Sequence, residues 1–393
     1  MKRSKYIWVG IRESDISDTN DLFSGSVTIF GSGSNANWSM ERHQHRRINH
    51  NGDCPGYGAF FQTSMRRILE NEPDSRFFQY DPLDGMDFPK DLRDKFCFQN
   101  EYSLLLFLDH KMKLKPWAKQ YVSVLPYQTL PGRVCDLEYL RQIFPNEEAV
   151  VIQRDHSCGG AGTFLVRFNS SCFPQIPVES DELCMVTPFQ TNSVSVNIHV
   201  ALYQEHTMLF PPSVQIIDQE HDCLEYLGAD FSSYRMLPSD EQECVKKAAA
   251  AVGDALRRLG YRGVCGIDFI LVGGICYFME VNPRFQASTA LLNHHLSGLH
   301  LPSLQEYHID AFSHLTPALP DPPTFAQGSF YTHHYQVGQE HQLCWLWNTL
   351  KKSDYFSLCD DHLSWADELE PGCYVFQLHS SSAISSITYQ ALR

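Results

Sequence analysis

Asp268 and Glu280 stand on the two apolar arms of GIDFILVGGICYFMEVNPRF (266–285), which meet at Gly273-Gly274. Asn282 and Arg284 follow at alternate positions, so on a strand they share a face with Glu280, while Val281 and Phe285 do not. A two-residue turn would pair Asp268 with Met279 and send the acids to opposite faces. A three-residue loop, Gly273 to Ile275, pairs Asp268 with Glu280, and this is the expected register. Carboxylates about 4 Å apart repel by roughly 4 kcal/mol at an effective dielectric of about 20. A shared proton relieves that repulsion; a divalent cation relieves it better. Asp268, Glu280 and the amide oxygen of Asn282 form a hard oxygen set that suits Mg²⁺ completed by phosphates and water. Arg284 ligates no cation and is suited to a transferring phosphoryl group or an acyl phosphate. The competing reading is an edge strand facing water, with Arg284 paired to Glu280.

A second candidate is RDHSCGGAG (154–162), between strands expected over 150–153 and 163–168. Gly159, Gly160 and Gly162 leave backbone N–H groups uncovered, as a lid over phosphates requires. No GK[ST] follows and the next element is β-like, so this is not a Walker loop. A hydrolase built from Asp155, His156, Ser157 and Cys158 is disfavoured because contiguous residues seldom converge on one reacting atom. Gly31-Ser32-Gly33-Ser34-Asn35-Ala36 matches a dinucleotide fingerprint, but loop-like sequence follows where a helix should stand, so an ordinary turn is expected.

Strands over 6–11, 26–30 and 76–80 with a helix over 60–69 give a βαβ rhythm. One helix is expected over 100–120, ended or restarted by Pro116, and a strand over 120–125. Ser239 and Gln242 suggest a capping box for a helix that Gly260 closes. Pro317 to Pro323 separates a C-terminal segment whose architecture is not legible; His333, His334, Trp345 and Trp347 in it complete the core or shape an acceptor pocket.

The net charge of -15 argues against nucleic acid or an anionic membrane as the main partner. One basic island, Arg42 to His50, reads as a solvated loop, with capture of a substrate carboxylate as the alternative. No apolar run approaches bilayer length and no signal segment opens the chain, so a cytoplasmic location is expected. Thirteen cysteines with no CxxC pair suit neither a disulfide framework nor a structural zinc site.

The acid, the Glu280-Val-Asn282-Pro-Arg284 strand and the glycine-rich hairpin, in this order with a lysine in "DHK" (Lys111), resemble the ATP-grasp superfamily. "CMVTPF" is similar to its adenine-binding hinge at Met185 and Val186, and "PPSVQII" to the segment whose glutamine, Gln215, lies near the nucleotide. The resemblance covers about residues 5 to 300 and implies an α/β and α+β ATP-grasp fold behind a Rossmann-like pre-ATP-grasp domain. It implies a boundary near 108, an ATP-grasp domain over 109–316 with a lid at about 148–187, and a C-terminal segment over 324–393. It further implies ATP and Mg²⁺, with Lys111, Gln153, Ser157, the lid glycines, Met185, Val186 and Gln215 around the nucleotide. The family usually has a lysine on the strand before the lid, where this chain has Gln153. The implied activity is that of an ADP-forming ligase, similar to peptide and carrier-protein ligases of antibiotic biosynthesis. It would join an amino-acid or peptide carboxylate to an amine or, alternatively, to the pantetheine thiol of an acyl carrier protein; a homodimer is admitted. The non-enzyme alternative is a nucleotide-binding scaffold.

Overall fold

The computed structural model describes residues 6–19, 22–30, 39–42, 57–155, 162–169, 181–218, 224–334, 356–358 and 374–381. The chain opens with a parallel sheet in the order β3-β2-β1-β4, made of β1 (Tyr6–Arg12), β2 (Phe23–Phe30), β3 (Ser39–Arg42) and β4 (Phe77–Gln79). Ile7, Trp8 and Val9 bury both faces of β1, as a central parallel strand requires. Between β3 and β4, α1 (Tyr57–Asn71) packs Phe61, Met65 and Ile68 against Val9 and Val27, and α2 (Lys90–Arg93) adds Leu92. The expected βαβ elements are therefore present. Neighbouring strands depart to either side of β1, so Arg12 and the Tyr80 that follows β4 border the switch point where open α/β sheets take ligands.

Two helices, not one, occupy 100–120: α3 (Tyr102–Asp109) and α4 (Lys111–Ala118). The break falls at His110, whose ψ of 93° leaves the helical region, while Pro116 is carried inside α4. The Asp155 carboxylate accepts the Met112 N–H at 3.0 Å, which starts a fresh helix there. The strand expected over 120–125 is reduced to one bridge, Val124 to Phe278, and Pro126 then removes the next donor.

A second sheet, β5-β8-β6-β7, comprises β5 (Gln128–Pro131), β6 (Ala149–Arg154), β7 (Thr163–Arg167) and β8 (Leu183–Pro188) around α5 (Leu137–Ile143). From β8 the chain enters the large antiparallel sheet: β9 (Ser193–Leu202), β10 (Thr207–Leu209), β11 (Ser213–Asp218), β12 (Glu225–Asp230), β13 (Gly263–Val272) and β14 (Ile275–Asn282). After α6 (Phe231–Tyr234), α7 (Ser239–Arg258) covers one face with Val245, Ala249, Val252 and Leu256. The other face meets α8 (Thr289–Gly298), α9 (Leu304–Ser313) and the aromatic edge of the first sheet, Trp8 and Phe78. The capping box expected at Ser239 does not form. Pro238 occupies the cap and the Gln242 amide instead donates to the Leu237 carbonyl at 2.8 Å. A capping box does form at Ser303 and Glu306, at the start of α9. Beyond β12 the large sheet is extended by β15 (Ser329–His334), β17 (Tyr374–Ser380) and, at its edge, β16 (Phe356–Leu358). His333 and His334 lie on β15; Trp345, Trp347, the turn at 31–36 and the island from His43 to His50 fall outside the described residues. Among the described residues no helix is long and apolar enough to cross a membrane.

The hairpin of β13 and β14 places the two acids by a different route from the expected one. Its turn has two residues, Gly273 at φ 56° and Gly274 at φ 79°, and Val272 pairs with Ile275. Positive φ at both positions suits a tight primed turn, which explains both glycines. The pairing then slips by one residue between Asp268 and Phe269: Phe269 faces Phe278, Met279 is extra, and Asp268 faces Glu280. A β-bulge thus restores the register that the short turn alone would have lost.

Gly228 is the point where the C-terminal strand docks: a Cβ there would lie 2.0 Å from the Phe330 carbonyl oxygen, whereas one at Gly298 meets nothing. Gly228→Ala is expected to lower stability by about 1–3 kcal/mol through forced separation of β12 and β15. Gly298→Ala should raise it by about 0.5–1 kcal/mol. Paired thermal melts of the two variants check both signs.

Candidate active site

Asp268 is buried on the sheet face turned toward the first domain, and its carboxylate is held from two sides. Asn282 Nδ2 donates to Oδ2 at 3.0 Å and Asn197 Nδ2, from the neighbouring β9, donates to Oδ1. Burial, followed by the charge of Glu280, pushes the Asp268 carboxyl up to about 7, against the opposing pull of those hydrogen bonds and of Arg284. Glu280 is more open and meets Lys111, whose Nζ stands 3.4 Å from Oε2. Lys115, one turn further along α4, is almost fully buried beside the same carboxylate. Burial lowers its ammonium to about 8, with Glu280 opposing and Lys111 adding to the shift.

Arg284 closes the other end. Its Nε lies 3.3 Å from Asp81 Oδ2, its Nη1 donates to the Tyr80 hydroxyl at 3.4 Å, and its Nη2 donates to Asn282 Oδ1 at 3.3 Å. Two guanidiniums, those of Arg12 and Arg284, lie over the Tyr80 ring, each 5.9 Å from its centroid. Tyr80 and Asp81 follow β4, so the first domain holds the arginine of the hairpin. Burial also raises the phenols of Tyr80 and Tyr226, keeping both protonated near the acids. In this arrangement the Asn282 amide nitrogen faces Asp268 and its oxygen faces Arg284. That oxygen reaches a cation between the acids only after the amide turns over.

Beneath the acids, Asn197 also donates to Gln286 Oε1, and Gln286 fills the space left by Gly266, where a Cβ would lie 1.7 Å from its amide nitrogen. His199, two residues along β9, is fully buried and pushed down to about 3 by that burial, so it is neutral.

Lys111, Asp268, Glu280, Asn282 and Arg284 are thus joined by ion pairing, strand pairing and hydrogen bonds into one cluster. The remaining sequence candidates lie elsewhere. Gln153 pairs with Thr163 and Met185 across β6, β7 and β8, in the smaller sheet. Met185 and Val186 are fully buried on β8, paired with β5 on one side and β6 on the other. Gln215 lies two residues past Ser213, which pairs with Asn197 and puts Gln215 on the Asp268 face of the large sheet. Gly162 takes φ 71°, which favours glycine; Ser157, Gly159 and Gly160 lie outside the described residues. Arg154 pairs with Glu182 at 2.8 Å. Sequence reasoning missed Asn197, Gln286, Tyr80, Asp81 and Lys115. Only Lys115, four positions after Lys111, carried a local signal.

Residues 111–288 match the profile of the ATP-grasp domain. Solved structures agree over the whole chain. A carboxyaminoimidazole ribonucleotide synthase from Aspergillus clavatus, complexed with ATP, superposes with a TM-score of 0.63 at 11% identity, covering 100% of this chain and 97% of its own. The chain has the ATP-grasp fold. A Staphylococcus aureus N5-carboxyaminoimidazole synthetase bound to ADP gives 0.61 at 12% identity, covering 100% and 99%. The biotin carboxylase domain of Hydrogenobacter thermophilus 2-oxoglutarate carboxylase, a dimer with MgADP and bicarbonate, gives 0.60 at 12%, covering 98% and 87%. No curated protein sequence matches the chain.

The residues present fit a magnesium ion. A buried carboxyl raised to about 7 beside a second carboxylate is relieved by a divalent cation, and oxygen donors are the hard ligands Mg²⁺ takes. Among the described residues no group of three His, Cys, Asp or Glu side chains could hold a metal alone.

The raised acid sets a pH dependence. Asp268 keeps its proton in the folded state up to about 7 but in the unfolded chain only up to the ordinary carboxyl value of 3.8. Its contribution to stability is therefore full below 3.8 and is lost as pH rises through about 7. Magnesium-free wild-type protein is expected to lose melting temperature from pH 5 to pH 8 more steeply than Asp268→Asn; parallel slopes would contradict the assignment.

Proposed function

We propose that the protein is an ATP-dependent, ADP-forming carboxylate–amine ligase. One observation carries the reading. Within an ATP-grasp fold, Asp268 and Glu280 face each other across one hairpin, with Lys111 on one flank and Arg284 on the other. Asp268, Glu280 and, after its amide turns, Asn282 would hold magnesium, which when bound supplies charge neutralisation at the β- and γ-phosphates. ATP is the phosphoryl donor. A substrate carboxylate oxygen bonds to the γ-phosphorus while the bond from that phosphorus to the β–γ bridging oxygen breaks, giving an acyl phosphate and ADP. Lys111 offsets the charge gathered on the phosphoryl oxygens. Arg284, aimed by Tyr80 and Asp81, holds the acyl phosphate until an amine nitrogen attacks its carbonyl carbon. Inorganic phosphate then leaves and the nitrogen releases its proton. Gln153, Gln215, Gly162, Met185 and Val186 are assigned to the nucleotide, together with Ser157, Gly159 and Gly160 of the glycine-rich segment.

An amino-acid or peptide carboxylate is the proposed acid. Bicarbonate is the second reading, favoured by its presence with MgADP in the Hydrogenobacter domain. Transfer to a carrier-protein thiol fits less well, because carrier proteins are typically acidic and this chain carries -15. A scaffold without chemistry fits least: such a protein has no need of two facing acids flanked by a lysine and an arginine.

ADP release should depend on an added acid, and a panel of single amino acids, amino-acid pairs and bicarbonate identifies it. Asp268→Asn and Glu280→Gln are each expected to cut turnover by about 100-fold or more while leaving the fold intact. Near wild-type ADP formation by either folded variant would refute the proposal.

A further inference from the structure

Lys115 has no part in the chemistry assigned to Lys111 and Arg284, yet it is more deeply buried than either, with 2% of its surface exposed. Among the described residues, its ammonium touches only the face of Tyr127, 6.0 Å from the ring centroid, and feels the charges of Glu280 and Lys111. Glu280 Oε2 lies 3.4 Å from Lys111, whereas among the described residues no carboxylate stands within ion-pair distance of Lys115. The two lysines stand four positions apart on α4, where like charges repel. A buried cation with an incomplete partner set is strongly destabilising, so a protein that retains one needs a compensating anion. Lys111 and Lys115 both stand beside Glu280, where the acids converge and a polyphosphate would bring further negative charge.

We infer that Lys115 is a second phosphate-binding residue, donating to the nucleotide's polyphosphate beside Lys111. The inference rests on the ATP-dependent reading of the site and adds a residue to it. An ammonium is a compact point charge with three donors, suited to bridging oxygens of adjacent phosphates. The rival role is purely internal: Lys115 would merely steady Glu280, and its loss would disturb the fold without sensing how many phosphates a ligand carries.

Calorimetric titration of wild-type protein and Lys115→Met with ATP, ADP, AMP and adenosine, each with magnesium, separates these roles. Wild-type protein should bind ATP; if it does not, the ligase reading itself fails. Given that binding, Lys115→Met should weaken ATP and ADP by about 10-fold or more, and adenosine by less than about 2-fold. The ligand-free variant should melt no lower than wild type, because a buried charge has been replaced by an apolar chain of similar length. Lys115→Arg, which keeps the charge, should recover most of the ATP affinity. Equal ATP affinity in Lys115→Met overturns the inference and leaves the ligase reading standing. An equal loss for adenosine and ATP, or a fall in melting temperature or failure to fold, also overturns it and returns Lys115 to a structural role.

Discussion

The pairing of Asp268 with Glu280 is the constraint on which the rest of the site depends. Two acids facing each other across adjacent strands repel, and burial of one makes the repulsion worse. The surrounding structure manages this with amide donors from Asn197 and Asn282 and with cations on both flanks, but it does not remove it. What remains is a site whose acids are better satisfied by a divalent ion than by each other. The same feature that costs stability would supply affinity for a divalent cation.

Three separate parts of the chain meet at this hairpin. The first domain reaches it through Tyr80 and Asp81, which leave the parallel sheet at its switch point and hold Arg284. The helix after that domain contributes Lys111, and its start is governed by Asp155, which the smaller sheet presents at the end of β6. The large sheet supplies the floor, with Gly266 giving room for Gln286 under the acids. A displacement of any one of these bodies therefore changes the charge balance at the acids.

The alternation of polar and apolar residues along 266–285 carried the site's chemistry, because side chains on a strand share a face only at even spacing. The acids come to face each other by a route that alternation alone does not give. Gly273 and Gly274 form a two-residue turn, and a bulge at Met279 makes up the count. Bulges have no dependable sequence signature, since the extra residue is chosen by packing on both faces of the ribbon. The break at His110 was similarly illegible: it is made by a carboxylate from residue 155, far away in sequence.

By itself the sequence determined the acids, their alternation with Asn282 and Arg284, the βαβ opening and the amphipathic helix at 239–258. Each is a local pattern set by backbone periodicity. Tertiary structure alone decided that Asn197 and Gln286 lie beneath Asp268, that Tyr80 and Asp81 hold Arg284, and that Lys115 is buried beside Glu280. Those relations join residues up to about 200 positions apart, as Tyr80 and Arg284 are. They exist because apolar burial brings the sheets together, and a polar side chain carried along in that packing acquires partners that its own segment does not name.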